Sequence, residues 1–134
     1  MQVLVVEPGT APYEQEIDPG LESLQHEVDG YIEALGLDEN ATLICNEEGK
    51  LNGLELNRAL YDERGNMTDI IAGTFLVVGS GEENFDSLTP QQMEQYKHRF
   101  RKPEVFLPLN GRILAIPVEP PRQHKPKARS GDAR

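Results

Sequence analysis

CNEEGKLNGLELNRALYDERGNMTDIIAGTFLVVG, Cys45 to Gly79, decides how the chain is read. It ends in the longest apolar run of the sequence, DIIAGTFLVV from Asp69 to Val78, whose β-branched and aromatic content at this length predicts a buried strand. Gly73 inside that run signals a bulge or a close backbone approach. Arg64-Gly65-Asn66 after Tyr61-Asp62-Glu63 is a hairpin turn signal, and Asn46-Glu47-Glu48-Gly49 a reversal in which Gly49 can take positive φ. Between them, Leu51, Leu54, Leu56 and Leu60 fit neither the helical nor the strand period cleanly; Asn52-Gly53 offers a tight turn, and Asn57–Leu60 a helical turn or an irregular loop.

Working outward, Gln2–Val6 reads as a short buried strand closed by Glu7-Pro8-Gly9, and Tyr31–Leu35 and Ala41–Cys45 as strands flanking a turn at 36–40. Asp18-Pro19-Gly20 predicts a helix start, with Asp18 capping and Pro19 in the first turn, and Leu21, Leu24 and Val28 as the buried face. Gly30 closes that helix near Asp29. After Gly79-Ser80-Gly81, residues 82–88 are expected to hold a short helical turn. Thr89, Pro90 and Gln92 mark a second helix, running to about Arg101 with Met93, Tyr96 and Phe100 inward and Pro103 as its stop. Val105–Leu109 and Arg112–Val118 are strands joined at Asn110-Gly111. The expected fold is α+β: a single compact domain over 1–118, a mostly antiparallel five- to seven-stranded sheet and two main helices packed on one of its faces. Residues 119–134 are expected to be a disordered basic tail.

Size and charge narrow the function. A chain of 134 residues can bury a substantial core, and without Trp that core must be aliphatic. No run of about 18 apolar residues exists, so no membrane helix is expected. MQVLVVEPG lacks a basic leader, and a single Cys45 cannot form an internal disulfide, which together suit a reducing cytoplasm. Residues 1–118 hold 8 basic and 21 acidic residues, a net of −13, while 119–134 hold five basic and two acidic. An acidic body disfavours direct nucleic-acid binding and suits a basic partner or mimicry of DNA. The acids, however, are scattered over helices, turns and strand ends rather than arrayed along one face.

Arg58 stands out. It is the single base between Lys50 and Arg64 and lies beside Asn57 and near Asn52. A guanidinium with flanking amides suits a phosphate or carboxylate and base edges, and Tyr61 offers a stacking surface. Arg58, Asn57, Asn52 and Tyr61 are therefore the candidate ligand-binding residues for a small anionic, nucleotide-type ligand. An arginine paired with Asp62 or Glu63, beside asparagines that close turns, is the alternative. Gly79-Ser80-Gly81 resembles a phosphate nest but lacks a P-loop lysine and is followed by Glu82-Glu83. None of His26, His98 and His124 is placed near Cys45 to activate it, so a buried structural thiol is expected. No zinc or calcium spacing appears, and no catalytic residues, metal or cofactor are assigned.

The runs VLVVEPG, ID…LESLQ…VDGYIEA and, above all, NEEGKLNGLELNRALYDERGNMTDIIAGTFLVVG resemble a family of unknown function over about residues 1–102. That family is spread through phages, plasmids and conjugative elements of Gram-positive and gut bacteria. The resemblance implies a mobile-element accessory protein, with counter-defence as its setting and no catalytic residues to carry over. Two expectations follow: a non-enzymatic protein that sequesters a nucleotide-type immune signal, with a second copy completing the site as a homo-oligomer, or an acidic inhibitor or antirestriction-like DNA mimic that binds a host defence protein.

Overall fold

In the computed structural model, residues 1–121 are described; the part of the expected basic tail from 122 onward lies outside them. The fold is α+β, two helices and antiparallel strands. The strands are β1 (Gln2–Val6), β2 (Tyr13–Glu16), β3 (Ile32–Asp38), β4 (Ala41–Asn46), β5 (Leu56–Tyr61), β6 (Met67–Ala72), β7 (Phe75–Ser80), β8 (Phe85–Asp86), β9 (Glu104–Leu109) and β10 (Arg112–Pro117), and the helices are α1 (Leu21–Val28) and α2 (Pro90–Arg99). The central sheet has six strands in the order β2-β1-β7-β4-β3, with the short β8 also on β7; β5-β6 and β9-β10 form two separate hairpins.

The helices lie on opposite faces of the sheet, not on one. Strand side chains alternate between faces, and the two core clusters divide accordingly. Val3, Val5, Ile44, Leu76 and Val78 pack with Leu24 and Val28 of α1. Leu4, Val6, Leu43, Phe75 and Val77 pack with Met93 and Tyr96 of α2, and with Leu60 and Ile71 of the β5-β6 hairpin. Strands β1, β4 and β7 are covered on both faces, which explains why Val3–Val6 and Phe75–Val78 are uninterrupted apolar runs.

The Asp69–Val78 run is two strands. At Gly73 the backbone takes φ 84°, and a Cβ there would lie 2.7 Å from Leu54 Cδ1. A positive φ is open to glycine at little cost, so the chain breaks here, passing from the β5-β6 hairpin into the central sheet. The ambiguous residues 56–61 are β5, made legible only by its partner β6. Strand β3 runs on through Gly36 to Asp38, into the expected turn, with a bulge between Gly36 and Asp38. Residues 85–86 are a strand rather than part of a helical turn.

Helix α1 begins after Gly20 with no side-chain cap, so Asp18 does not serve as one. Its end is held by a residue far along the chain: Asn46 Nδ2 donates to Val28 O and Asp29 O, each at 3.1 Å. Helix α2 carries the full capping box expected from Thr89 and Gln92, Gln92 N donating to Thr89 Oγ1 at 3.1 Å and Thr89 N to Gln92 Oε1 at 2.9 Å. The Tyr96 hydroxyl donates to Asp38, fastening α2 to the end of β3. No helix among the described residues is long and apolar enough to cross a membrane.

Candidate functional site

Arg58 lies inside the protein, 1% exposed, at the junction of β5, the 7–12 loop and the end of α2. All five of its N–H groups are spent on the chain itself. Nε and Nη2 donate to Phe100 O at 3.2 and 2.8 Å, Nη2 also to Thr10 O at 2.7 Å, and Nη1 to Asn57 Oδ1 at 2.9 Å and Asn57 O at 3.4 Å. Phe100 is the C-cap of α2. The guanidinium thus sits at the negative end of that helix, where a cation is favoured. Burial pulls its pKa down to about 10, while the Glu104 carboxylate acts in the opposite direction.

The four expected ligand residues do not converge. Asn57 is fully buried, and its Nδ2 donates to Val6 O at 2.9 Å and Gly73 O at 2.8 Å. Asn52 is exposed in the turn between β4 and β5. Tyr61 is 43% exposed at the end of β5, its hydroxyl pKa raised by burial and by Glu104. Arg58 is not paired with Asp62 or Glu63: Asp62 closes the β5-β6 turn, Oδ1 accepting from Arg64 N and Asn66 N at 2.9 Å each. The glycines of Gly79-Ser80-Gly81 have a steric reason: a Cβ on Gly79 would lie 2.5 Å from Ser87 O, and one on Gly81 2.5 Å from Asn84 O.

The structure does form a cleft of about 240 Å³ between the 47–51 loop and β6. Asn46 builds one wall. While its amide nitrogen holds the end of α1, its Oδ1 accepts from Glu48 N at 2.8 Å and so folds the loop back. Gly49 presses that loop onto β6, for a Cβ at this position would sit 2.7 Å from Ala72 O. Its lining includes the acidic residues Glu33, Glu47, Glu48 and Asp69 and the buried Cys45, Ile70 and Ile71. Among the described residues, Lys50 is the single base lining it, and it pairs with Asp69 at 2.8 Å. Leu51, also in the lining, is 85% exposed. The residue types were visible in the sequence as Asn46–Lys50; their closure against β6 was not, because it depends on the hairpin's position.

Cys45 gains no reactivity from this setting. Burial pushes its thiol up to about 11, and the Glu33 and Asp69 carboxylates add to that, against Lys50. His26 and His98 are exposed on the two helices, and neither lines the cleft. Alkylation of the native protein at pH 8 is expected to be at least about 100-fold slower than that of the unfolded chain, since two pKa units remove that much thiolate. Time-resolved labelling followed by intact-mass measurement checks this. Comparable rates would mean that the thiol is open and activated. Among the described residues, no cluster of three or more His, Cys, Asp or Glu is arranged to hold a metal ion.

The fold and cleft therefore define a small α+β protein with an acidic groove and no assembled anion site at Arg58. Residues 1–101 match the family described as Domain of unknown function (DUF3846), and the chain belongs to that family. No curated protein and no solved structure matches it.

Proposed function

We propose that this is a non-enzymatic binding protein that engages a basic surface of a partner protein, its cleft seating one lysine or arginine side chain of that partner. One observation carries the reading: four acidic residues and a set of buried apolar ones line the cleft, and the one base among its described lining residues is already tied to Asp69. A long basic side chain lays its alkyl stem on apolar surface and brings its charge to the carboxylates, a combination this cleft offers. The volume is below the roughly 300 Å³ at which small-molecule pockets begin, so it suits a side chain better than a nucleotide. In the phage and plasmid setting that the resemblance implies, the partner is a host defence protein, and binding inhibits it.

Sequestration of a nucleotide-type signal is the second reading. It must recruit Arg58 away from Phe100 O and Thr10 O, or use a site shared between copies. The two readings separate in one experiment. Wild type and a Glu47→Lys/Glu48→Lys variant are used as bait in a lysate of the bacterial host, in about 0.05 M and 0.5 M salt, between which charge screening rises several-fold. Captured proteins and heat-released small molecules are both identified by mass spectrometry. A protein captured by wild type in low salt, and lost in high salt and with the variant, supports the proposal. A protein held equally by the variant overturns the role of the cleft. An intact nucleotide released from wild type, and not from Arg58→Lys, favours the second reading.

A further inference from the structure

The β9-β10 hairpin lies outside the 1–101 family match. Residues 104–118 carry one acid, Glu104, and one base, Arg112. Cross-strand partners share a face in an antiparallel pair. The pairs Val105↔Ile116, Leu107↔Leu114 and Leu109↔Arg112 therefore put five large aliphatic side chains on one face. All five are exposed, between 40% and 53%. The opposite face holds Phe106 and Ala115, both half-buried, the exposed Ile113, Pro108 and Pro117, and Glu104, whose Oε1 accepts from Ala59 N at 2.8 Å and fastens the hairpin to β5. The aliphatic face leaves on the order of 400 Å² of apolar surface in water, the size at which a patch marks an interaction site.

We infer that this face is a dimerisation surface, covered by the same face of a second copy stacked upon it. Edge-to-edge pairing is interrupted on both strands. The turn residues Asn110 and Gly111 have φ 52° and 79°, as in a two-residue hairpin, so the closing pair Leu109–Arg112 is hydrogen-bonded and the pairs alternate from there. Pro108 and Pro117 then fall where the N–H would point outward, one on each free edge, and proline has none to offer. What is left to bury is the face. It is uncharged except for Arg112 at its end, so it is self-complementary, as a two-fold interface requires. Two such faces bury about 800 Å² of aliphatic surface, and with their rims reach the ~1,000 Å² that is the lower bound for a biological interface. Residues 122–134 contain no Val, Leu, Ile, Met, Phe, Tyr or Trp. A body of net charge −13 is repelled by anionic lipid.

The test is sedimentation equilibrium of the full chain over roughly 1–200 µM, for wild type and for Leu107→Glu/Leu114→Glu. A Leu107→Ser/Leu114→Ser variant and far-UV circular dichroism control for folding. Wild type is expected to populate a dimer, and the glutamate pair to raise its dissociation constant by at least about 100-fold, because each charge would be buried without a partner. The serine pair gives a smaller shift in the same direction. A wild type that stays monomeric throughout overturns the inference, as does a folded glutamate variant that dimerises like wild type. Co-sedimentation of monomeric wild type with neutral phosphatidylcholine vesicles would also overturn it, by making lipid the occupant.

Discussion

Arg58→Ala is expected to destabilise the folded protein by about 3–5 kcal/mol, the range seen when a buried charged residue is removed from its partners. The substitution leaves Phe100 O, Thr10 O, Asn57 O and Asn57 Oδ1 without their donor in a site that water does not reach. A buried acceptor without a partner costs about 1–3 kcal/mol. Relief from burying the charge offsets part of that sum. For a chain of this size the melting temperature should fall by roughly 10–20 °C. Arg58→Lys keeps the charge but offers three donors instead of five, and should lie between the two. The pH dependence has a defined sign. The folded-state pKa of about 10 is below that of a free guanidinium, so the unfolded chain holds this proton more tightly. Burying the charge therefore costs stability at neutral pH, and the cost fades as pH rises above about 10. Scanning calorimetry at neutral pH checks the main effect. A folded Arg58→Ala protein that melts within about 2 °C of wild type would take away the structural role and free the guanidinium for a ligand.

Asn57→Ala is expected to cost about 2–4 kcal/mol, with two main-chain acceptors left unpaired. Its Nδ2 ties Val6 O at the end of β1 to Gly73 O, the residue at which the chain leaves the hairpin for the central sheet. Its Oδ1 also accepts from Arg58, so the two side chains share one network. The double variant should therefore fall short of the sum of the singles by about 1 kcal/mol or more, as contacting residues do. Urea unfolding of wild type, both singles and the double measures this coupling. Strict additivity would mean that the two side chains act independently and that the 2.9 Å contact contributes nothing.

Local signals read well where the chemistry is local. Thr89 and Gln92 bond to each other across one helical turn, and Asn110-Gly111 needs no distant partner to turn the chain. The same is true of Asp62, whose carboxylate closes its own hairpin. Signals failed where distant residues decide. Asp69–Val78 is one apolar run by composition, yet its halves pair with β5 on one side and with β1 and β4 on the other. Only the space taken by Leu54 and the positive φ at Gly73 divide it. Arg58 drew attention for its charge, which ordinarily implies exposure. The carbonyls that satisfy it come from Thr10 and Phe100, each more than forty residues away. Its stretch Asn57–Leu60 is buried throughout, so the strand shows no alternation by which the sequence could have marked it. Asn46 and Gly49 were read as a turn; their work of joining α1, the loop and β6 became visible only with the tertiary contacts.

The position of β7 bears on how the chain is made. Leu4 pairs with Val77, more than seventy residues later, and β7 also separates β1 from β4. During synthesis, β1 emerges with one edge able to pair with β2 at once and the other left open until β7 follows. At roughly 5–20 residues per second, that wait lasts about 4–15 s. For that interval Val3–Val6 is an uncovered sticky segment in a crowded cell, so slow translation over residues 20–75 or a missing chaperone should reduce the yield of soluble protein before any substitution does.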